Sequence, residues 1–266
     1  MIYHYNKNKP GVYIGRPKSG GEWGFGNPFV IGKDGSRVEV IEKFKNWLDT
    51  PAKNPHPDAT WQRRKWILDN LYKIKNEDLI CWCDYPKEDC HGRVLIDKTN
   101  NQLFYTGVGA RITPESVLRR FRKLSTYLDK KGYVLRSGGA DGADSVFEDS
   151  SNSKQIFLPW KRYNGNDSDL YNFPSEIDTR CHELAGSVHP YWGSLKGSVK
   201  KLHARNVYQI LGPKLDNPSQ FLVCWTENGE VKGGTATAIR LAEKFHVPVF
   251  NFGRPGDDEK LWQFVK

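Results

Sequence analysis

Tyr105-Thr106-Gly107-Val108-Gly109-Ala110-Arg111 and, further along, Ser137-Gly138-Gly139-Ala140-Asp141-Gly142-Ala143-Asp144 are the two stretches that decide the fold. Each closes a short run rich in apolar and aromatic residues, 103–106 and 133–136. Each opens a segment of helical period, 114–130 and 140–148. The alternation continues, with strands expected at 155–158, 221–225 and 247–250 and helices at 175–187, 199–211 and 235–245. Strands alternating with helices predict an α/β fold, a parallel sheet with helices on both faces. In such a sheet the ligand crevice lies outside the carboxyl ends of the strands.

The residues expected at those ends are therefore informative. Gly107 and Gly109 follow the first strand, with Arg111 just beyond; Ser137, Gly138, Gly139 and Asp141 follow the second. Lys161 and Arg162 follow the third, and Lys232-Gly233-Gly234-Thr235 opens the helix after the fourth. Glycine lets backbone approach a ligand closely, and a glycine turn at a helix start points free N–H groups at an anion. Three such turns on one sheet edge, with basic side chains beside them, predict a phosphate site. The spacing is not that of a P-loop. It is not Gly-x-Gly-x-x-Gly either, because Ile112 stands where the third glycine belongs.

Working outward, the polar run 97–101 marks a boundary and divides the chain into 1–101 and 102–266. The first part reads as a smaller α/β domain: a strand at 12–15, helices at 39–48 and 61–71, a buried strand at 79–83 and a helix from Cys90. Asn54-Pro55-His56-Pro57 marks a loop. Cys81 and Cys83 are two apart on a strand and so face one side, and Cys90-His91 follows closely. Three thiols and an imidazole make a donor set for zinc. Buried structural cysteines and a reactive thiol, with Cys90 at a helix start, are the alternatives.

Composition narrows the class. The 266 residues include nine Trp and 13% aromatics, which excludes general disorder. No run approaches the length of a membrane helix, and Met1-Ile-Tyr-His-Tyr-Asn-Lys has no apolar signal core, so a cytoplasmic setting is expected. Five Cys in a chain this size do not form a disulfide scaffold. The net charge of +9 splits into +4 for 1–101 and +5 for the rest, so neither half is a basic tail. This suits a small phosphorylated ligand better than a nucleic-acid coat.

The second half, over roughly 102–266, resembles the SLOG superfamily of Rossmann-like nucleotide-binding domains, which includes the cytokinin-activating LOG phosphoribohydrolases and the DNA-processing DprA proteins. The two glycine stretches are similar to those of a branch common in phage and bacterial genomes. Leu202-His203-Ala204-Arg205-Asn206 resembles the LOG motif Met-His-x-Arg-Lys, and Gly233-Gly234-Thr235 resembles part of Pro-Gly-Gly-x-Gly-Thr-x-x-Glu. The resemblance implies a nucleotide or nucleotide-derived ligand, phosphate held by Arg205 with His203 nearby, and often a homodimer. The motif glutamate, implicated in cleaving an N-glycosidic bond, is replaced by Ala238. Asp141, Asp144 and Glu148 are the carboxylates that could substitute, with Asp144 and Glu148 on one helix face. An N-glycoside hydrolase or ribosyltransferase, a non-catalytic nucleotide sensor or sequestering protein of phage counter-defence, and a DNA- or RNA-binding protein are the three function classes this implies. The first half resembles an uncharacterised phage and bacterial domain, on Tyr13-Ile14-Gly15-Arg16-Pro17, Trp23-Gly24-Phe25-Gly26-Asn27-Pro28-Phe29 and the Cys/His motifs. Arg16 and the 24–28 turn are candidates for a second anion site beside the cysteines, with a plain structural turn as the alternative reading of the glycines.

Overall fold

A computed structural model describes residues 1–5, 9–16, 24–50, 59–83 and 89–266. The loop expected at 54–57, and Pro17 and Trp23 of the N-terminal motifs, lie outside the described residues. The chain divides into two compact units, Met1–Gln102 and Leu103–Lys266.

The first unit carries strands β1 (Ile2–His4), β2 (Val12–Tyr13) and β3 (Leu79–Cys81) and helices α1 (Arg37–Asp49), α2 (Ala59–Asn70) and α3 (His91–Asn100). The strands form a parallel sheet in the order β1-β3-β2. Helix α1 begins at a capping box: the Ser36 hydroxyl accepts from the Glu39 N–H, and the Glu39 carboxylate accepts from the Ser36 N–H. Its Val40, Phe44 and Leu48, about one turn apart, are buried, and Phe44 and Leu48 enter a core with Ile14, Ile67, Leu79 and Leu95. Strand β1 was not expected; three residues are too few to show an alternation.

The second unit runs β4 (Leu103–Gly107), α4 (Glu115–Lys130), β5 (Tyr133–Ser137), α5 (Ala143–Asp149), β6 (Lys154–Ile156), α6 (Ser175–Val188), α7 (Gly197–Leu211), β7 (Phe221–Cys224), α8 (Thr235–Lys244), β8 (Val249–Asn251) and α9 (Asp257–Phe264). Its five strands are all parallel, in the order β6-β5-β4-β7-β8. The pleat sorts side chains by face: Phe221 and Val223 join a core with α4, α5 and α9, while Leu222 and Cys224 join one with α6, α7 and α8. The fold class is thus α/β, as the alternation predicts. Only α9 lacked a sequence signal; it starts after Gly256 at φ +81°.

Order 3-2-1-4-5 has its switch point between β4 and β7, where the chain leaves the central strand in opposite directions. Gly107 ends β4 there, but for a packing reason. A Cβ at this position would sit 2.7 Å from the ring of Phe147, which is fully buried. Gly107→Ala is expected to overpack the core and cost about 1–3 kcal/mol, read as a lower urea midpoint.

Candidate functional site

A crevice of about 600 Å³ opens at the switch point. Its floor is the turn after β4, which is pinned to β7 by Val108 N–H donating to the Val223 carbonyl (3.1 Å). One wall is the loop after β7, with Trp225, Thr226 and Glu227. The opposite wall is α7, with Leu202, His203, Arg205 and Asn206. The Gly233-Gly234-Thr235 turn closes one end. No side chain caps α8 at that turn; Ala236 N–H turns back to the Gly233 carbonyl (3.2 Å), and the start of the helix presents its positive end to an anion.

Asp144 lies in the first turn of α5, 3% exposed, and its Oδ1 accepts from the Gly109 N–H at 3.2 Å. Burial pushes its carboxyl up to about 6, against the pull of the Arg205 guanidinium and of backbone N–H groups at 109, 140 and 138. Arg205 donates Nη1 to the Gly138 carbonyl and stands over the Tyr163 ring, 5.2 Å from its centroid. Gly138 makes room for Gln209 and for this guanidinium: a Cβ there would come 2.2 Å from Gln209 Nε2 and 2.9 Å from the guanidinium carbon. His203 Nδ1 is 2.8 Å from Thr237 Oγ1, and its ring meets His189 edge to face at 4.5 Å. Burial, with the charges of His189 and Arg205, lowers His203 to about 4, so it is neutral near pH 7.

Of the residues singled out from sequence, Gly109, Arg111, Asp144, His203, Arg205, Gly233, Gly234 and Thr235 line this crevice. The others have different surroundings. Ser137 donates its hydroxyl to the Gly107 carbonyl (2.7 Å), tying β5 to β4. Gly139 holds φ +62°, and Asp141 is exposed with Oδ1 3.5 Å from Asn164 Nδ2. Asp141 does not cap α5, whose N-cap is Gly142 at φ +88°. Glu148 accepts two hydrogen bonds from Asn166 Nδ2 (2.8 and 3.0 Å) and anchors the loop after β6 instead of facing the crevice. Lys161 is exposed and lines a separate depression with Arg162 and Asp167.

Sequence reasoning missed Trp225, Thr226 and Glu227. Their signal was available, since they directly follow the fourth strand. Asn251 on β8 fixes this loop, accepting from the Thr226 N–H (3.0 Å) and donating to the Thr226 hydroxyl (2.7 Å). Glu227 pairs with Lys232 at 3.0 Å. Tyr163, from the loop after β6, also lines the crevice.

In the N-terminal unit the donor atoms of Cys81, Cys83, Cys90 and His91 all lie within 4.8 Å of one another, an arrangement able to hold a metal ion. Cys81 and Cys83 Sγ are 3.5 Å apart, and Cys81 Sγ is 4.0 Å from His91 Nδ1. His91 Nε2 donates to the Ile14 carbonyl (2.9 Å), which leaves Nδ1 as a lone-pair donor toward the sulfurs. Without metal the thiols share protons. Hydrogen bonding from Cys81, Cys90 and His91 pulls Cys83 down, while hydrogen bonding to Cys81 and Cys83 pushes Cys90 up. Burial opposes a charge on His91, but the thiol hydrogen bonds outweigh it and raise it to about 9.

No helix among the described residues is long and apolar enough to cross a membrane. No curated protein matches the chain. Among solved structures, DNA processing protein A from Helicobacter pylori, described by its single-stranded DNA binding mode, is similar at 22% identity. That match covers 62% of this chain and 74% of that one, with a TM-score of 0.38. The Moco carrier protein of Chlamydomonas reinhardtii is similar at 17% identity over 62% of this chain and 85% of its own, TM-score 0.37. Residues 3–101 match the family model Domain of unknown function (DUF4326).

Proposed function

We propose that the C-terminal unit is a SLOG-like domain that binds a nucleotide or nucleotide-derived ligand in the switch-point crevice. The observation that carries this is the placing of a buried carboxyl, Asp144, and Arg205 against glycine turns at the carboxyl ends of β4, β5 and β7. Phosphate is assigned to Arg205, Arg111 and the uncapped start of α8, and the sugar to Asp144. Trp225 and Tyr163 supply apolar walls for a base. In the catalytic form of this proposal the ligand's N-glycosidic bond is cleaved or transferred. Asp144 is then the carboxylate that steadies the oxocarbenium-like transition state. It is the one substitute that lines the crevice; Glu148 and Asp141 do not.

Ala238, fully buried where the LOG motif has its glutamate, favours the second form, a sensor or sequestering protein that binds without turnover. Incubation with a panel of nucleotides separates the two. Saturable binding with release of free base supports the enzyme, and tight binding with the ligand recovered intact supports the sensor. A single-stranded DNA arm covers the third class. There, affinity that falls steeply with salt and exceeds that of every mononucleotide replaces the nucleotide proposal.

For the N-terminal unit we propose zinc on Cys81, Cys83, Cys90 and His91. At a Zn–S length of about 2.3 Å, tetrahedral geometry puts sulfurs about 3.8 Å apart, close to the spacing present. Four protein donors leave no open position, which supports a structural role for the metal.

A further inference from the structure

Over the Cys/His cluster lies a second pocket of about 370 Å³, lined in part by the Arg16 singled out from the sequence. This volume falls within the range of small-molecule sites. Its floor includes Cys81, Cys83 and His91. Its walls are Tyr13, Phe29, Val40, Ile41 and Trp82, and Arg16, Arg37 and Asp89 supply the charges. Trp82 sits between the two cysteines and is 55% exposed. It is not loose: its indole stacks on Tyr5 at 4.4 Å and meets His4 edge-on at 6.1 Å. An exposed but braced indole at a pocket is a platform for a flat ring.

The two arginines differ in what they already hold. Arg37 places Nη1 3.7 Å from Cys83 Sγ and 3.5 Å from the Asp89 carbonyl, so its charge is spent on the thiolate side of the cluster. Arg16 donates Nε to the Asn27 carbonyl (3.0 Å) and Nη2 to the Phe29 carbonyl (2.6 Å). These bonds to neutral carbonyls fix the guanidinium plane without neutralising it, and no carboxylate pairs with Arg16 among the described residues. The turn is shaped for this, since a Cβ on Gly26 would come 2.7 Å from the Arg16 backbone. A pre-set fork of this kind suits a carboxylate or phosphate.

We propose that this pocket binds a flat aromatic or heteroaromatic ring bearing one phosphate or carboxylate group. The ring packs against Trp82, Tyr13 and the aliphatic wall, and the anionic group is received by Arg16. A metal on Cys81, Cys83, Cys90 and His91 would hold this floor rigid, and those four residues take no part in chemistry on the ligand. This site is independent of the C-terminal crevice.

Calorimetric titration of the zinc-loaded full chain with phenyl phosphate, benzoate, benzyl alcohol and inorganic phosphate tests it. Phenyl phosphate or benzoate is expected to bind at least tenfold more tightly than the alcohol and inorganic phosphate, and the tighter of the two identifies the headgroup. Trp82→Ala, a change at an exposed side chain, and Arg16→Gln should each weaken that binding about tenfold or more. Arg205→Gln, which disables the other unit's site, should leave it unchanged. Equal binding of benzyl alcohol, binding that survives both N-terminal variants, or binding lost in Arg205→Gln overturns the proposal. So does the absence of binding by either aromatic anion.

Discussion

Asp144→Asn is expected to make the C-terminal unit more stable at pH 7 and to weaken its nucleotide binding at least tenfold. The two effects share a cause. The carboxyl is buried and held near 6, where an unfolded chain would titrate near 3.8. Below about pH 4 the group is neutral in both states and costs nothing. Between about 4 and 6 the unfolded chain ionises while the folded one stays protonated, so stability falls as pH rises. Above about 6 both are ionised and the penalty is constant. At about 1.4 kcal/mol per pH unit it amounts to about 3 kcal/mol. The amide keeps an acceptor for the Gly109 N–H and removes the charge. About 2 kcal/mol should therefore be regained at pH 7, or roughly 5 °C in the Tm of the C-terminal transition. Thermal unfolding of both forms from pH 4 to 8 checks the sign. A variant that loses stability would show Asp144 to be a structural anchor instead, because a group kept at an energetic loss is the mark of a functional site.

Metal removal is expected to have the largest effect of all. Structural zinc contributes on the order of 10–16 kcal/mol in small metal-dependent folds, as much as the whole stability of a typical domain. Cys81 ends strand β3, which stops short of the run expected at 79–83; Cys83 lies in the bend just beyond it, and Cys90 and His91 open α3. Losing the metal therefore unties the central strand of the three-stranded sheet from its covering helix. A chelator, or Cys81→Ser, should render residues 1–102 protease-sensitive while 103–266 stay resistant. The purified chain should carry about one zinc, and its three N-terminal thiols should resist alkylation until the chelator is added. A metal-free chain that stays folded and whose cysteines stay inert would return the cluster to ordinary buried thiols. Rapid alkylation of Cys83 in the untreated protein would instead favour a reactive thiol.

The sequence was most informative where a feature is local. The alternation of strand and helix follows from short apolar runs and helical periods, and the order of the glycine turns follows with it. The donor set at 81–91 was legible because its members lie close in the chain. The site was half legible. Gly109, Asp144, Arg205 and the 233–235 turn meet as the strand-end rule requires. Glycine, however, does not announce why it is glycine. Gly107 yields to Phe147 and Gly138 to Gln209 and Arg205, all across the fold, so neither needs a ligand to explain it. Glu148 shares a helix face with Asp144 by spacing, yet Asn166 of a distant loop claims its carboxylate. Arg136 is the sharpest case. It reads as a polar strand end but is fully buried, held by Gln155 at 3.0 Å and seated 3.7 Å over the Phe104 ring. Long-range partners of this kind leave no trace in local pattern.

The central claim is that Asp144 and Arg205 face one nucleotide in the switch-point crevice. A crystal structure of the full chain with the tightest-binding nucleotide of the panel tests it most directly. The expected result is a phosphate on Arg205 and the α8 start, with a sugar hydroxyl about 3 Å from the Asp144 carboxyl. A nucleotide seated elsewhere, or one in the crevice whose sugar leaves Asp144 untouched, would contradict it.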